Sequence, residues 1–140
     1  MFLNQLSVFL ENREGRLDEV LETLKANSIN ILSLSLADTS DYGLLRMIVS
    51  DSEKGKECLK EAGFTAHLTP VLAVKLSHQV GQLQAILAEI VKAGMNIEYM
   101  YALATGNNDA SIVIRTTDVE EAAHALENIG VELVRTSDLV

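Results

Sequence analysis

Cysteine, proline and tryptophan are almost missing from this sequence: 140 residues hold one Cys, one Pro and no Trp. A lone cysteine makes neither an internal disulfide nor a multi-cysteine metal site, which fits a reducing cytosol and a cytoplasmic protein. Cys58 itself falls on the apolar side of a helix and reads as a small buried hydrophobe. Basic residues are scarce too. Eleven Lys and Arg against twenty Asp and Glu leave a net charge of −9, and without a basic cluster no nucleic acid is expected as a partner, because phosphate contacts need concentrated positive charge. No run approaches the ~20 apolar residues of a membrane span. The opening MFLNQLSVFLENREG lacks the basic start and small-residue cleavage site of a signal peptide, so no membrane association is expected. His67, His78 and His124 share no ligand spacing, and neither a metal nor a cofactor is expected. An enzyme would need a nucleophile beside a base, paired carboxylates in a cleft or a metal cluster. None of these constellations can be read here, and the chain is taken as non-catalytic.

What is present is a repeat. Gly81 to Ile97, GQLQAILAEIVKAGMNI, restates Gly15 to Ile31, GRLDEVLETLKANSINI, sixty-six residues later. Leu17 matches Leu83, Val20 matches Ile86, Leu21 matches Leu87 and Leu24 matches Ile90. Their i, i+3, i+4, i+7 spacing is the stripe of an amphipathic helix. Such an offset divides the chain into two small domains, residues 1–69 and 70–140, each near the lower limit of core size. Halves of that size are expected to lean on each other or on a second chain.

Each half spells out the same elements. Leu6, Val8 and Leu10 alternate with Gln5, Ser7 and Phe9 as a strand, Asn12 to Gly15 turns the chain, and a helix runs to about Asn27. Asn30 opens a strand through Leu32, Leu34 and Leu36. After the turn at Asp38 to Asp41, Leu45, Met47 and Val49 form the other arm of a hairpin. A weaker helix runs from Ser52 to Gly63, and Phe64 to Thr69 makes a fourth strand. Pro70 is read as the seam. Leu72, Val74 and Leu76 then replace Leu6, Val8 and Leu10; Ser77 to Val80 turns, Gly81 to Gly94 is helical, and Asn96 to Thr105 is a strand. Gly106-Asn107-Asn108 forms the hairpin loop, and one residue inserted there raises the offset to sixty-seven, so Ile112 and Ile114 answer Leu45 and Met47. Val119 to Ile129 is the last helix and Val131 to Thr136 the last strand. Right-handed crossovers put both helices of a half on one face of a sheet. The fold class is thus α+β: two ferredoxin-like βαββαβ repeats with antiparallel four-stranded sheets and helices on one face. The other face, with Ser33, Ser35, Arg46, Tyr99, Tyr101 and Arg115, is mixed and needs water or a partner to cover it.

The chemistry concentrates at the start of each first helix. There the backbone N–H groups lack intrahelical acceptors and the helix dipole is positive, so an anion such as an amino-acid carboxylate binds readily. Gly15 and Gly81 let the backbone approach it without an intervening side chain. Asn30 and Asn96 carry both a donor and an acceptor, suited to an ammonium or a carboxylate. The plainer alternative is that the glycines serve only turns and the asparagines only end helices.

The loop Asn12-Arg13-Glu14-Gly15-Arg16-Leu17 followed by a helix and Ser28-Ile29-Asn30-Ile31 resembles an ACT domain. The same pattern returns in His78-Gln79-Val80-Gly81-Gln82-Leu83 and Asn96-Ile97. The family loop is usually acidic-basic-Pro-Gly-x-Leu; here Glu14 and Val80 stand in the proline's place. The resemblance implies a regulatory sensor that binds a small ligand, most often a free amino acid, at an interface between paired domains. It places the ligand among these loop residues, with Asn30, Ile31, Asn96 and Ile97 contributed across the interface. It also leaves a homodimer and a regulated enzyme in trans as partners. Two other readings stay open: a structural or partner-binding module without ligand, and an acylphosphatase-like enzyme, for which Arg13 and Arg16 are the only echo.

Overall fold

Alternation in the first ten residues becomes strand β1 (Leu3–Glu11), and the first apolar stripe becomes helix α1 (Arg16–Ala26). The computed structural model describes residues 2–11, 13–38, 41–77, 79–104 and 110–139. Asn12, His78 and the hairpin loop at Gly106 to Asn108 fall outside them. After α1 come β2 (Ile31–Asp38), β3 (Tyr42–Val49), α2 (Ser52–Glu61), β4 (Thr65–Leu76), α3 (Gln82–Lys92), β5 (Ile97–Ala104), β6 (Ala110–Thr116) and α4 (Val119–Asn128). A short 3-10 turn, Thr136–Asp138, follows.

The chain divides into two compact units, Asn4–Thr69 and Pro70–Val140 with Met1–Leu3. In the first, Leu6, Val8 and Leu10 of β1 and Leu45, Met47 and Val49 of β3 pack with Val20 and Leu24 of α1 and Leu59 of α2, all buried. Both helices therefore cover one face of the strands. In the second, Leu72 and Val74, Ile114, Ile86 and Ile90, and Ala122, Ala123 and Leu126 do the same. The hairpins β2–β3 and β5–β6 are antiparallel, as are β1–β3 and β4–β6.

The two four-stranded sheets anticipated from the sequence are not what forms. Six strands make one sheet in the order β2-β3-β1-β4-β6-β5. The strands placed at Phe64–Thr69 and from Leu72 are one continuous β4, with Pro70 inside it. The register with β6 covers Leu72 to Leu76, so the missing N–H of Pro70 removes no bond from that ladder. The carbonyl of Pro70 is held by Arg115 Nη1 at 2.6 Å. The last strand, placed at Val131 to Thr136, shrinks to a bridge between Val74 and Leu133. Lys75 N–H donates to Glu132 O (2.9 Å) and Val134 N–H to Ala73 O (2.8 Å) before the turn at Thr136 begins.

The face opposite the helices also departs from expectation. Gln5, Ser7 and Ile48 in one unit and Val71, Ala73, Val113 and Val134 in the other are buried within the chain itself. Gln5 Nε2 donates to Ser7 Oγ at 3.0 Å, and Ser7 Oγ shares a hydrogen bond with Thr69 Oγ1 at 3.0 Å. Ser33, Ser35, Arg46, Tyr99, Tyr101 and Arg115 are half-buried. On the helix side of the outer strand β2, Leu34 and Leu36 are 47% and 48% exposed, while Phe9 and Tyr42, stacked on each other, stay exposed on the opposite face.

One buried hydroxyl has no counterpart in the other half. Thr116 is fully buried and its Oγ1 has no hydrogen-bond partner among the described residues, whereas Val49 occupies the matching place beside Ile31. Exchanging the unpaired hydroxyl for a methyl of like shape removes its desolvation penalty, so Thr116→Val is expected to gain about 1 kcal/mol in urea unfolding.

Candidate ligand site at two helix starts

Helices α1 and α3 begin without a side-chain cap. Their N-terminal residues, Gly15 (φ 82°) and Gly81 (φ 83°), are left-handed. By contrast α2 and α4 begin on Asp51 and Asp118, whose carboxylates accept the N–H of Lys54 (3.1 Å) and Glu121 (3.0 Å). A capped start already has a donor occupied and a negative charge in place. An uncapped one offers N–H groups and the positive end of the dipole to an incoming anion. No described residue lies within 4 Å of where a Cβ would sit on Gly15 or Gly81, so among the described residues the requirement for glycine is its φ and the approach is open.

The two loops differ in charge and filling. The first turn of α1 carries Asp18 and Glu19, and that of α3 carries no acid. Arg16 is engaged within its own unit: its guanidinium lies 4.2 Å over the Phe64 ring, donates to Glu19 Oε2 at 2.7 Å and stands 3.8 Å from Glu11. Arg16 Nε is buried without a hydrogen-bond partner among the described residues. In the second repeat Gln82 replaces Arg16 and Val131 replaces Phe64. Gln82 Oε1 accepts the Ser77 N–H, and a cavity of about 380 Å³ opens beside it, lined by Lys75, Ser77, Gln82, Gly130, Val131 and Glu132 among others. The corner plugged by Arg16 and Phe64 in one copy is open in the other. Sequence reasoning missed this, although the Arg16/Gln82 and Phe64/Val131 mismatches between the repeats signalled it.

The remaining site residues fall into place around these starts. Arg13, Glu14, Gln79 and Val80 are exposed, and Leu17 and Leu83 are half-buried. Arg13 N–H donates to Glu11 O at 2.8 Å, and Gln82 N–H to Gln79 O at 3.3 Å, which closes each turn. Asn30 and Asn96 are exposed, just ahead of β2 and β5, with Ile31 and Ile97 half-buried behind them. Both strands shift register immediately afterwards, between Ile31 and Ser33 and between Ile97 and Tyr99. An irregularity of this kind re-aims neighbouring side chains. Asn30 exchanges hydrogen bonds with Ser50, its N–H to Ser50 Oγ and its carbonyl from Ser50 N–H, both at 2.9 Å.

Within a unit the glycine and the asparagine are not brought together. Gly15 precedes α1 and Asn30 follows it, and an 11-residue helix is about 16 Å long. The same holds for Gly81, α3 and Asn96. A pocket using both residue types must draw them from two copies of the unit. No group of three His, Cys, Asp or Glu among the described residues could hold a metal. No described helix is long and apolar enough to cross a membrane. Burial pushes the Cys58 thiol above its ordinary pKa, and it donates to Gly55 O at 3.3 Å.

Residues 1–140 match the family model described as an ACT domain pair. No curated protein matches the chain. Among solved structures, a protein from Bacteroides thetaiotaomicron is 40% identical, covers 99% of this chain over 96% of its own and has a TM-score of 0.91. The ligand-free regulatory subunit of aspartate kinase from Thermus thermophilus is 17% identical, with 92% and 94% covered and a TM-score of 0.62. The regulatory subunit of aspartate kinase from Thermus flavus is 20% identical, with 90% and 92% covered and a TM-score of 0.57. The last two are likenesses of fold.

Proposed function

The chain belongs to the ACT-domain family, and from that premise we propose a non-catalytic regulatory protein that holds a free amino acid between ACT domains, residues 1–69 forming one domain and 70–140 the other. The observation that carries this reading is the twice-repeated uncapped helix start led by a left-handed glycine, in a chain whose other two helices are capped by aspartate. The ligand carboxylate takes the backbone N–H groups after Gly81 or Gly15. Its ammonium is met by the side-chain amide of Asn96 or Asn30 from an adjoining copy. The loop at Gly81 is the stronger of the two, because no acid opposes the carboxylate in the first turn of α3. Likeness of fold to regulatory subunits of aspartate kinase supports an enzyme regulated in trans. The single thiol, buried and unbridged, fits the cytoplasm.

Thermal shift against the twenty amino acids tests the reading. A ligand at 100 times its dissociation constant adds about 2.7 kcal/mol to the native state, and no shift with any of them overturns it. With the ligand in hand, Asn96→Ala is expected to weaken binding of the labelled amino acid about tenfold, the loss of one charge-assisted hydrogen bond. Equal affinities remove Asn96 from the site.

A further inference from the structure

Resting on the amino-acid reading above, we propose that the open corner of the Pro70–Val140 unit receives the side chain of the bound amino acid. Gln82 and Val131 then select a long side chain with a polar end. In the Asn4–Thr69 unit the corresponding corner is filled from within. The Arg16 guanidinium lies 4.2 Å over the Phe64 ring, 2.7 Å from Glu19 Oε2 and 3.8 Å from Glu11 Oε1. At the matching places of the second repeat stand Gln82 for Arg16, Val131 for Phe64, Ala85 for Glu19 and Ser77 for Glu11. Every replacement is smaller, and together they take away both the plug and the carboxylates that hold it.

What they leave is a cavity of about 380 Å³. A second, of about 600 Å³, shares Lys75, Gly130, Val131 and Glu132 with it and continues to Arg135 and Asp138. Both volumes fall within the range of about 300–1,000 Å³ in which small-ligand sites are found. Gln82 ties the corner to the helix start. It is the first residue of α3, next to Gly81, and its side chain lines the smaller cavity with Oε1 on the Ser77 N–H. A carboxylate on the N–H groups of that first turn therefore leaves the ligand's side chain beside the corner. The far wall is polar: Lys75 Nζ stands 3.0 Å from Glu132 Oε1 and 3.9 Å from Asp138 Oδ2. Such a group offers both a donor and acceptors to a polar tip, whereas an apolar tip would desolvate it without returning the hydrogen bonds lost to water. Glutamine, glutamate, lysine and arginine meet both demands. Glycine, alanine and serine stop short, and leucine and phenylalanine bring nothing to the wall.

Isothermal titration of the full chain with the twenty amino acids tests the inference. Wild-type protein is expected to bind a long polar amino acid about tenfold tighter, or more, than glycine, alanine, serine, leucine or phenylalanine. Val131→Phe restores the bulk of Phe64 at a half-buried position and should weaken that ligand by about tenfold with the circular dichroism unchanged. Adding Gln82→Arg should weaken it further, and Phe64→Leu in the other unit should leave it within about twofold. A wild type that prefers short or apolar amino acids, or a folded Val131→Phe variant that binds as wild type does, overturns the role of the corner and leaves the amino-acid reading standing. Should Val131→Phe unfold, the wild-type ranking alone decides. Absence of binding by any of the twenty removes the reading and the corner with it.

Discussion

Leu24→Ala and Ile90→Ala, at matching places in the two repeats, are each expected to lower unfolding stability by about 3 kcal/mol. Both side chains are completely buried at the centre of their unit's core. Around Leu24 the packing leaves little to collapse inward. A Cβ on Gly55 would already lie 3.0 Å from Leu6 Cδ2 and 3.7 Å from Leu24 Cδ2, so α2 meets α1 and β1 through a bare glycine backbone. Deleting three carbons from Leu24 therefore leaves a cavity, which adds to the lost transfer free energy. Domains are stable by only about 5–15 kcal/mol, and units of this size sit toward the bottom of that range. Urea unfolding measures the loss as a fall in midpoint at unchanged m. A change below 1 kcal/mol at Leu24 would mean that the α1–β1–α2 packing described above is wrong.

That glycine shows how far the pattern of residues reaches. The apolar stripes of α1 and α3 repeat at a fixed offset, and both helices and both hairpins lie where the periodicities of 3.6 and two put them. Periodicity says nothing of how closely two elements approach. Ala122 in α4 stands at the place Gly55 holds in α2, and only coordinates show that the space at Gly55 is filled by Leu6. The strands at the seam were misjudged for a related reason. Proline reads locally as a break, but whether a strand tolerates it depends on which neighbour needs its N–H, and that is a property of the ladder. Val131 to Thr136 has the composition of a strand. Its pairing ends with the Val134 N–H on Ala73 O, and at the next residue Asp138 Oδ2 takes the Arg135 N–H at 2.9 Å as the backbone turns away.

The site was legible in kind and not in assembly. A glycine before an amphipathic helix and an asparagine after it can be found by matching the repeats. The length of α1 then forbids one unit from using both, a consequence of 1.5 Å per residue that needs the helix bounds to be known. Nor could the loops be ranked from their sequences. Arg13 and Arg16 suggest a cationic first loop, yet the Arg16 guanidinium is stacked on Phe64 and paired with Glu19 and Glu11. The second loop has fewer charges and the more open surroundings.

Gly81→Val is accordingly expected to reduce amino-acid affinity by roughly a hundredfold, the loss of one or two hydrogen bonds from backbone donors to a carboxylate at 1.5–3 kcal/mol each. Valine at φ 83° is strained. To relieve that strain the backbone must leave the left-handed region, and the N–H groups of the first turn rotate with it. The accompanying stability change is of similar size, about 1–3 kcal/mol, and has to be separated from the effect on binding. Gly94 makes the control. It too is left-handed, at φ 84°, and has open space at its Cβ position, but it follows α3 instead of leading it. Gly94→Val should cost comparable stability and leave affinity within a few-fold of wild type, provided binding is measured well below the unfolding midpoint of each variant. Gly15→Val should weaken binding less than Gly81→Val, since Asp18 and Glu19 already oppose a carboxylate at the first loop. Equal losses in Gly81→Val and Gly94→Val would show that the helix start acts through stability and not as the seat of the ligand.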